Sequence, residues 1–148
     1  MEDIKRILVM SRSTTDCKKA VHYGISLART RKAQLYILHV IHEPFGLRNV
    51  TFISSLRFLE EEFQAMLQKV KSDLDMLIQK ERTRGISIKD LVKEAEPVDE
   101  IVKIVQEEKI DLLLMSAHDE TRIEHIIYGR INHEIVRKLP CSVFLVKG

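Results

Sequence analysis

The sequence predicts an α/β fold, a five-stranded and mainly parallel sheet flanked by helices. Three observations carry that prediction. Four short apolar runs have the length and continuity of strands buried on both faces, and a fifth, weaker run alternates only in part. The segments between them carry apolar residues at helical spacing. The two kinds of segment alternate from one end of the chain to the other, as right-handed β-α-β crossovers require.

The elements follow in order. Ile7-Leu8-Val9-Met10 reads as the first strand. Ala20, Tyr23, Gly24, Leu27 and Ala28 then fall on one helical face. Leu35 to Ile41 is the second strand, and a long charged helix follows, with Leu56, Leu59, Phe63, Met66, Leu67, Val70, Leu74, Leu77 and Ile78 as its apolar stripe. Ser87 to Val92 is the weak run and fits a strand nearer the sheet edge. Pro97 opens the next helix, where its missing N–H costs nothing, and Val98, Ile101, Val102 and Val105 line it. Leu112-Leu113-Leu114-Met115 is the fourth strand. Ile123, Ile127, Ile131 and Ile135 mark the last helix, which stops before Pro140, and Val143-Phe144-Leu145-Val146 is the fifth strand.

With 148 residues, 45% of them apolar, the chain suits one domain with a real core. Charged residues make up 31% but leave a net charge of only +2, so neither nucleic acid nor an anionic membrane is indicated as a partner. No apolar run approaches the ~18 residues of a membrane helix. Met1 to Arg6 has the wrong charges for a signal peptide, so the expected location is the cytoplasm. Cys17 and Cys141 lack metal-ligand spacing and are expected to be reduced and structural.

No catalytic set stands out. The six histidines make no H-E-x-x-H and no Cys/His metal pattern, and there is no G-x-S-x-G elbow, Walker loop or G-x-G-x-x-G. No enzyme activity, metal or resident cofactor is therefore expected. His39, inside an apolar strand, is expected to be a satisfied core residue. The irregular stretch His42 to Ser54, with Pro44, Gly46 and Asn49, follows the second strand and so belongs at the carboxyl end of the sheet, where open α/β folds bind ligands. A plain long loop and a ligand-facing loop both fit it.

Met115 to Val146 resembles the carboxyl third of the universal stress protein family. There a strand ends in a glycine-rich loop, a helix follows, and a Pro-Cys-Pro-Val-like segment leads into the last strand; here that segment is Pro140-Cys141-Ser142-Val143. Arg6 to Thr14 sits where the family has Lys-Ile-Leu-Val-Pro-Val-Asp-Gly-Ser. Leu38-His39-Val40 matches the family's Leu-His-Val, and Ile110 to Met115 its Ala-Asp-Leu-Ile-Val-Met. The resemblance implies an adenine nucleotide α-hydrolase-like, Rossmann-like three-layer sandwich with strand order 3-2-1-4-5. It also implies a stress-response or regulatory module, ATP or AMP as candidate ligands, and an unidentified regulatory protein partner.

The nucleotide- or anion-binding positions it implies are Met10, Ser11, Arg12, Val40, Ser116, Asp119, Arg122, Gly129, Arg130 and Ile131. The nucleotide-binding members carry Gly-x2-Gly-x9-Gly-Ser/Thr, and the four fixed positions read Ser116, Asp119, Gly129 and Arg130 here. The first strand's aspartate falls at Arg12. A phosphate cradle needs glycines so that backbone N–H groups can approach the anion. Asp119 instead brings a carboxylate, whose repulsion at ~4 Å is about 4 kcal/mol at an effective dielectric of ~20, before screening. Thr121-Arg122-Ile123-Glu124 is a capping box, able to satisfy the helix N–H groups an anion would use. ATP binding is therefore expected to be weak or absent. Arg12, Arg122 and Arg130 would either accept another anion, or Arg130 would pair with Asp119 and plug the pocket. The resemblance further implies a homodimer through the last strand, Val143, Phe144, Leu145 and Val146. An unpaired apolar edge there is a liability unless a copy covers it.

Overall fold

The computed structural model describes residues 3–11, 17–41, 54–117 and 123–147; within these, residues 17, 41, 54–60, 62, 63, 66, 67, 70, 94 and 123–129 are described by backbone alone. The elements run β1 (Arg6–Ser11), α1 (Cys17–Arg31), β2 (Gln34–Ile41), α2 (Ser54–Thr83), β3 (Ile88–Glu94), α3 (Pro97–Glu107), β4 (Leu112–Ala117), α4 (Ile123–Lys138) and β5 (Ser142–Lys147). The strands form one sheet in the order β3-β2-β1-β4-β5, and every pairing is parallel. Both the expected alternation and the expected strand order hold, and the weak run is an edge strand.

The pleat of the strands divides the core into two layers. Ile7 and Val9 of β1 face α1 and α2, together with Leu35, Ile37 and Leu114. There they meet Ala20, Val21, Ile25 and Ala28 of α1, and Leu74 and Ile78 of α2. Leu8 and Met10 face the other way with Leu38, Leu113 and Met115, against α3 and the Ile131–Ile135 pair of α4. Burying each of these aliphatic side chains stabilises the fold by roughly 1.5–3 kcal/mol. Because both sheet faces are covered, the central strands read as unbroken apolar runs.

One member of an expected helical face is misplaced, while Ala20, Gly24 and Ala28 are buried as expected. Tyr23 is 51% exposed, and Val21 and Ile25 are buried instead. Tyr23 lies toward the sheet edge, where its ring stands 6.2 Å from that of Phe144 on β5.

Three helices close on the same backbone device. Lys32, Gly85 and Lys109 take positive φ just past α1, α2 and α3. The following residue then bonds back five positions, Ala33 N–H to Ala28 C=O, Ile86 to Glu81 and Ile110 to Val105. This satisfies carbonyls the helix end leaves open. The Asp111 carboxylate accepts from the N–H groups of Lys5 and Arg6, each at 2.8 Å, and so pins the segment entering β1 to that entering β4.

Candidate functional site

The chain lays down β1, β2 and β3 toward one side of the sheet, then crosses to the other side for β4 and β5. Such a reversal opens a crevice at the carboxyl ends of the two strands where it occurs. The register shows it here. The β1–β4 ladder covers Ile7↔Leu112 to Val9↔Leu114 only, whereas β1 stays paired to β2 through Ser11↔His39 and β4 to β5 through Ala117↔Lys147. Beyond Val9 and Leu114 the two central strands therefore part.

Met10, Ser11 and Ser116 are brought together at this crevice and are buried, with Val40 buried on the neighbouring strand β2. Gly129, Arg130 and Ile131 lie on α4, the helix that follows β4. Ile131 is turned into the core. Arg130 projects outward, its side chain 82% exposed, and its Nε donates to Glu134 Oε1 at 3.0 Å, one helical turn on. Arg12, Asp119 and Arg122 lie outside the described residues, as do Thr121 of the expected capping box and residues 42–53 of the irregular stretch. The expected Arg130–Asp119 pair is therefore described only from its arginine end, where the partner is Glu134.

Asn132 was not among the expected site residues. It is buried on α4 beside Ile131 and donates from Nδ2 to the Ser116 carbonyl at 2.8 Å, tying the helix to the end of β4. An asparagine one position from a buried isoleucine in an otherwise apolar stripe was the available signal.

His39 adjoins the crevice through its register partner Ser11 and is only 2% exposed. It is buried as expected but not fully satisfied. Its Nδ1 meets no hydrogen-bond partner among the described residues, and neither does Oδ1 of Asp90 on β3. Burial holds the imidazole below its ordinary value; Lys71 adds to this, while Asp90 and Asp75 oppose it. Burial and Asp75 raise the Asp90 carboxyl, against Arg82, His39 and Lys71.

The signs oppose each other. A lowered histidine contributes stability that is full above about pH 6.5 and lost as pH falls through its folded value. A raised carboxyl favours the fold at low pH, and that share is lost as pH rises through its folded value. As pH falls below about 6.5 toward its folded value, His39 is expected to cost up to about 1.4 kcal/mol of stability per pH unit. Urea unfolding of the parent and of His39→Leu across that range isolates the share of His39. The variant should show a flatter profile, and an equal slope in both proteins would rule His39 out.

Among the described residues no group of three or more His, Cys, Asp or Glu side chains is placed to hold a metal, and no helix is long and apolar enough to cross a membrane. Cys141 is a free, partly buried thiol that burial shifts upward.

A model of the universal stress protein family matches residues 3–147. The universal stress protein MJ0531 of Methanocaldococcus jannaschii is 28% identical over 148 residues, spanning 97% of this chain and 82% of its own. In structure the chain is similar to the universal stress protein UspA of Lactobacillus plantarum, with a TM-score of 0.73 at 20% identity and 99% of each chain covered. It is also similar to an Arabidopsis thaliana universal stress family protein solved with AMP bound, with a TM-score of 0.62 at 17% identity, covering 97% of this chain and 91% of that one.

Proposed function

The chain belongs to the universal stress protein family, and on that premise we propose that it is a non-catalytic regulatory module whose crevice between β1 and β4 binds ATP weakly or not at all. One observation carries this reading. Ser116 stands at the first glycine of the family's phosphate loop, and it is a buried residue whose carbonyl is held by Asn132. A side chain thus fills the strand end where a glycine would let backbone N–H groups close on a phosphate. Arg130, in place of the loop's final hydroxyl, is drawn out to Glu134. Titration calorimetry with ATP and Mg²⁺ tests the reading. A dissociation constant weaker than about 10 μM, or about −7 kcal/mol, is expected. A tighter one supports the alternative, an adenine-nucleotide switch, which the AMP-bound neighbour favours.

The same reading puts the protein in the cytoplasm as a homodimer that passes a stress signal to a protein partner. The outer edge of β5 carries no strand among the described residues. Phe144 and Leu145 are each 44% exposed, one on either face of that edge. Val143 is half-buried and Val146 points into the core, so Val146 would contribute only its backbone. A two-fold contact would reuse this edge on both subunits. Phe144→Lys is expected to shift the protein to monomer in sedimentation; a variant that is folded and still dimeric would place the interface elsewhere.

A further inference from the structure

At the opposite end of the sheet, the amino end, lies a cleft of about 840 Å³. Its walls come from the segment before β1, the α1–β2 junction and the turn between α2 and β3. Five cations line it: Lys5, Arg29, Arg31, Lys32 and Arg84. The one lining carboxylate is Asp3.

Glu81 organises the cationic wall from beneath. It is a buried residue that accepts from Arg29 Nη2 at 2.7 Å and from Arg84 Nη1 at 3.3 Å. Two guanidinium groups from distant segments are thereby held side by side, while their side chains stay about half exposed. Lys5, Arg31 and Lys32 have no ion-pair partner among the described residues.

Cations at helix ends have an ordinary use, since α1 and α2 both end here and each presents about half a negative charge. That use does not exhaust the set. Asp3, Glu81 and both helix ends together offset about three of the five positive charges, leaving about +2 in a concave site. The space beside Gly85 is open, since a Cβ built on it meets nothing within 4 Å.

We propose that this cleft is a second binding site, separate from the crevice between β1 and β4, for a small anion carrying a chain of phosphates. Its volume lies within the range of small-molecule sites. Paired guanidinium forks suit phosphate oxygens, and the loose lysines around them follow the charge of a chain. The lining holds no aromatic ring on which a base could stack, so the phosphates rather than a nucleoside are what the cleft reads. The near-neutral charge of the whole chain argues against a long nucleic acid.

The probe is inorganic tripolyphosphate, titrated calorimetrically into the intact protein at low salt. Saturable binding is expected. Arg31→Ser with Lys32→Gly should weaken it at least tenfold. This pair leaves the Glu81 clamp intact, and the φ of 53° at Lys32 suits glycine. Lys103→Ser with Arg137→Ser removes the same charge from exposed positions on α3 and α4 and should change affinity less than twofold. Absence of saturation, or a response to the Arg31–Lys32 pair no greater than that to the control pair, would each overturn the proposal. None of these outcomes depends on whether the crevice at the other end of the sheet binds ATP.

Discussion

Gly24→Ala is expected to destabilise the protein by about 2 kcal/mol, although alanine is the better helix former. In a helix interior alanine gains about 1 kcal/mol over glycine. At this position the gain is outweighed by the seat of α1 on the sheet. A Cβ on residue 24 would overlap Val9 Cγ2 and lie 3.4 Å from Leu35 Cδ1. Val9 is fully buried and β-branched, so its methyl has no spare rotamer to move into. Either α1 lifts from β1 or Val9 is forced off its rotamer. Such overpacking costs typically about 1–3 kcal/mol and occasionally more, and so close an approach to Val9 lies at the severe end. Val9→Ala should relieve the clash, because it removes the methyl that is struck. Denaturant unfolding of the parent, both single variants and the double variant forms a cycle. The double variant should be more stable than the sum of the single losses predicts, by at least about 1 kcal/mol. Strict additivity would mean that α1 does not rest on β1 through this contact.

The fold was legible because its central strands are buried on both faces, which makes each a largely apolar run, interrupted on β2 only by His39. The helices were less legible in proportion to how mixed their faces are. On α1 the expected stripe held at Ala20, Gly24 and Ala28 but included Tyr23, where Val21 and Ile25 are the buried neighbours instead. Tyr23 looked like core because it is large and correctly spaced, yet it sits where the helix overhangs the edge strand and meets Phe144. The crevice could be placed from strand order, and Met10, Ser11 and Ser116 are buried just past the last β1–β4 pair, Val9↔Leu114. The Asn132 bond to Ser116 was not legible, since it joins residues 16 positions apart through a helix whose rotation on the sheet had to be known. The amino-end cleft was invisible for a stronger reason. The Arg29–Glu81 bond spans 52 positions, and the basic residues at 29–32 and 80–84 read alone as ordinary cations at helix ends. Only the folded chain sets them around one space.

Asp119→Gly combined with Arg130→Ser is expected to tighten ATP binding at the β1–β4 crevice by at least tenfold. Both positions belong to the family's phosphate loop by sequence, and the two substitutions restore a glycine and a hydroxyl to it. The carboxylate should contribute most. At ~4 Å from a phosphate the repulsion is about 4 kcal/mol at an effective dielectric of ~20. Screening by solvent and salt reduces it, and even about 1.4 kcal/mol is a factor of ten. Arg130 contributes less, because its guanidinium is already drawn outward to Glu134 and its side chain is largely exposed. An exposed i,i+4 pair of that kind is worth about 0.3–0.5 kcal/mol, so losing it should leave the fold intact. The two single variants order the effects. Asp119→Gly alone should recover most of the gain and Arg130→Ser alone little. If Arg130→Ser recovered most of it, the arginine would have to leave Glu134 and enter the pocket in solution, as the plug requires. If the double variant gained nothing, the obstruction would lie with Ser116, whose buried place at the end of β4 is fixed through Asn132, or with Arg12 and the stretch from His42 to Ser54. Adding Ser116→Gly to the double variant then separates these, since only an obstruction at Ser116 would yield to it.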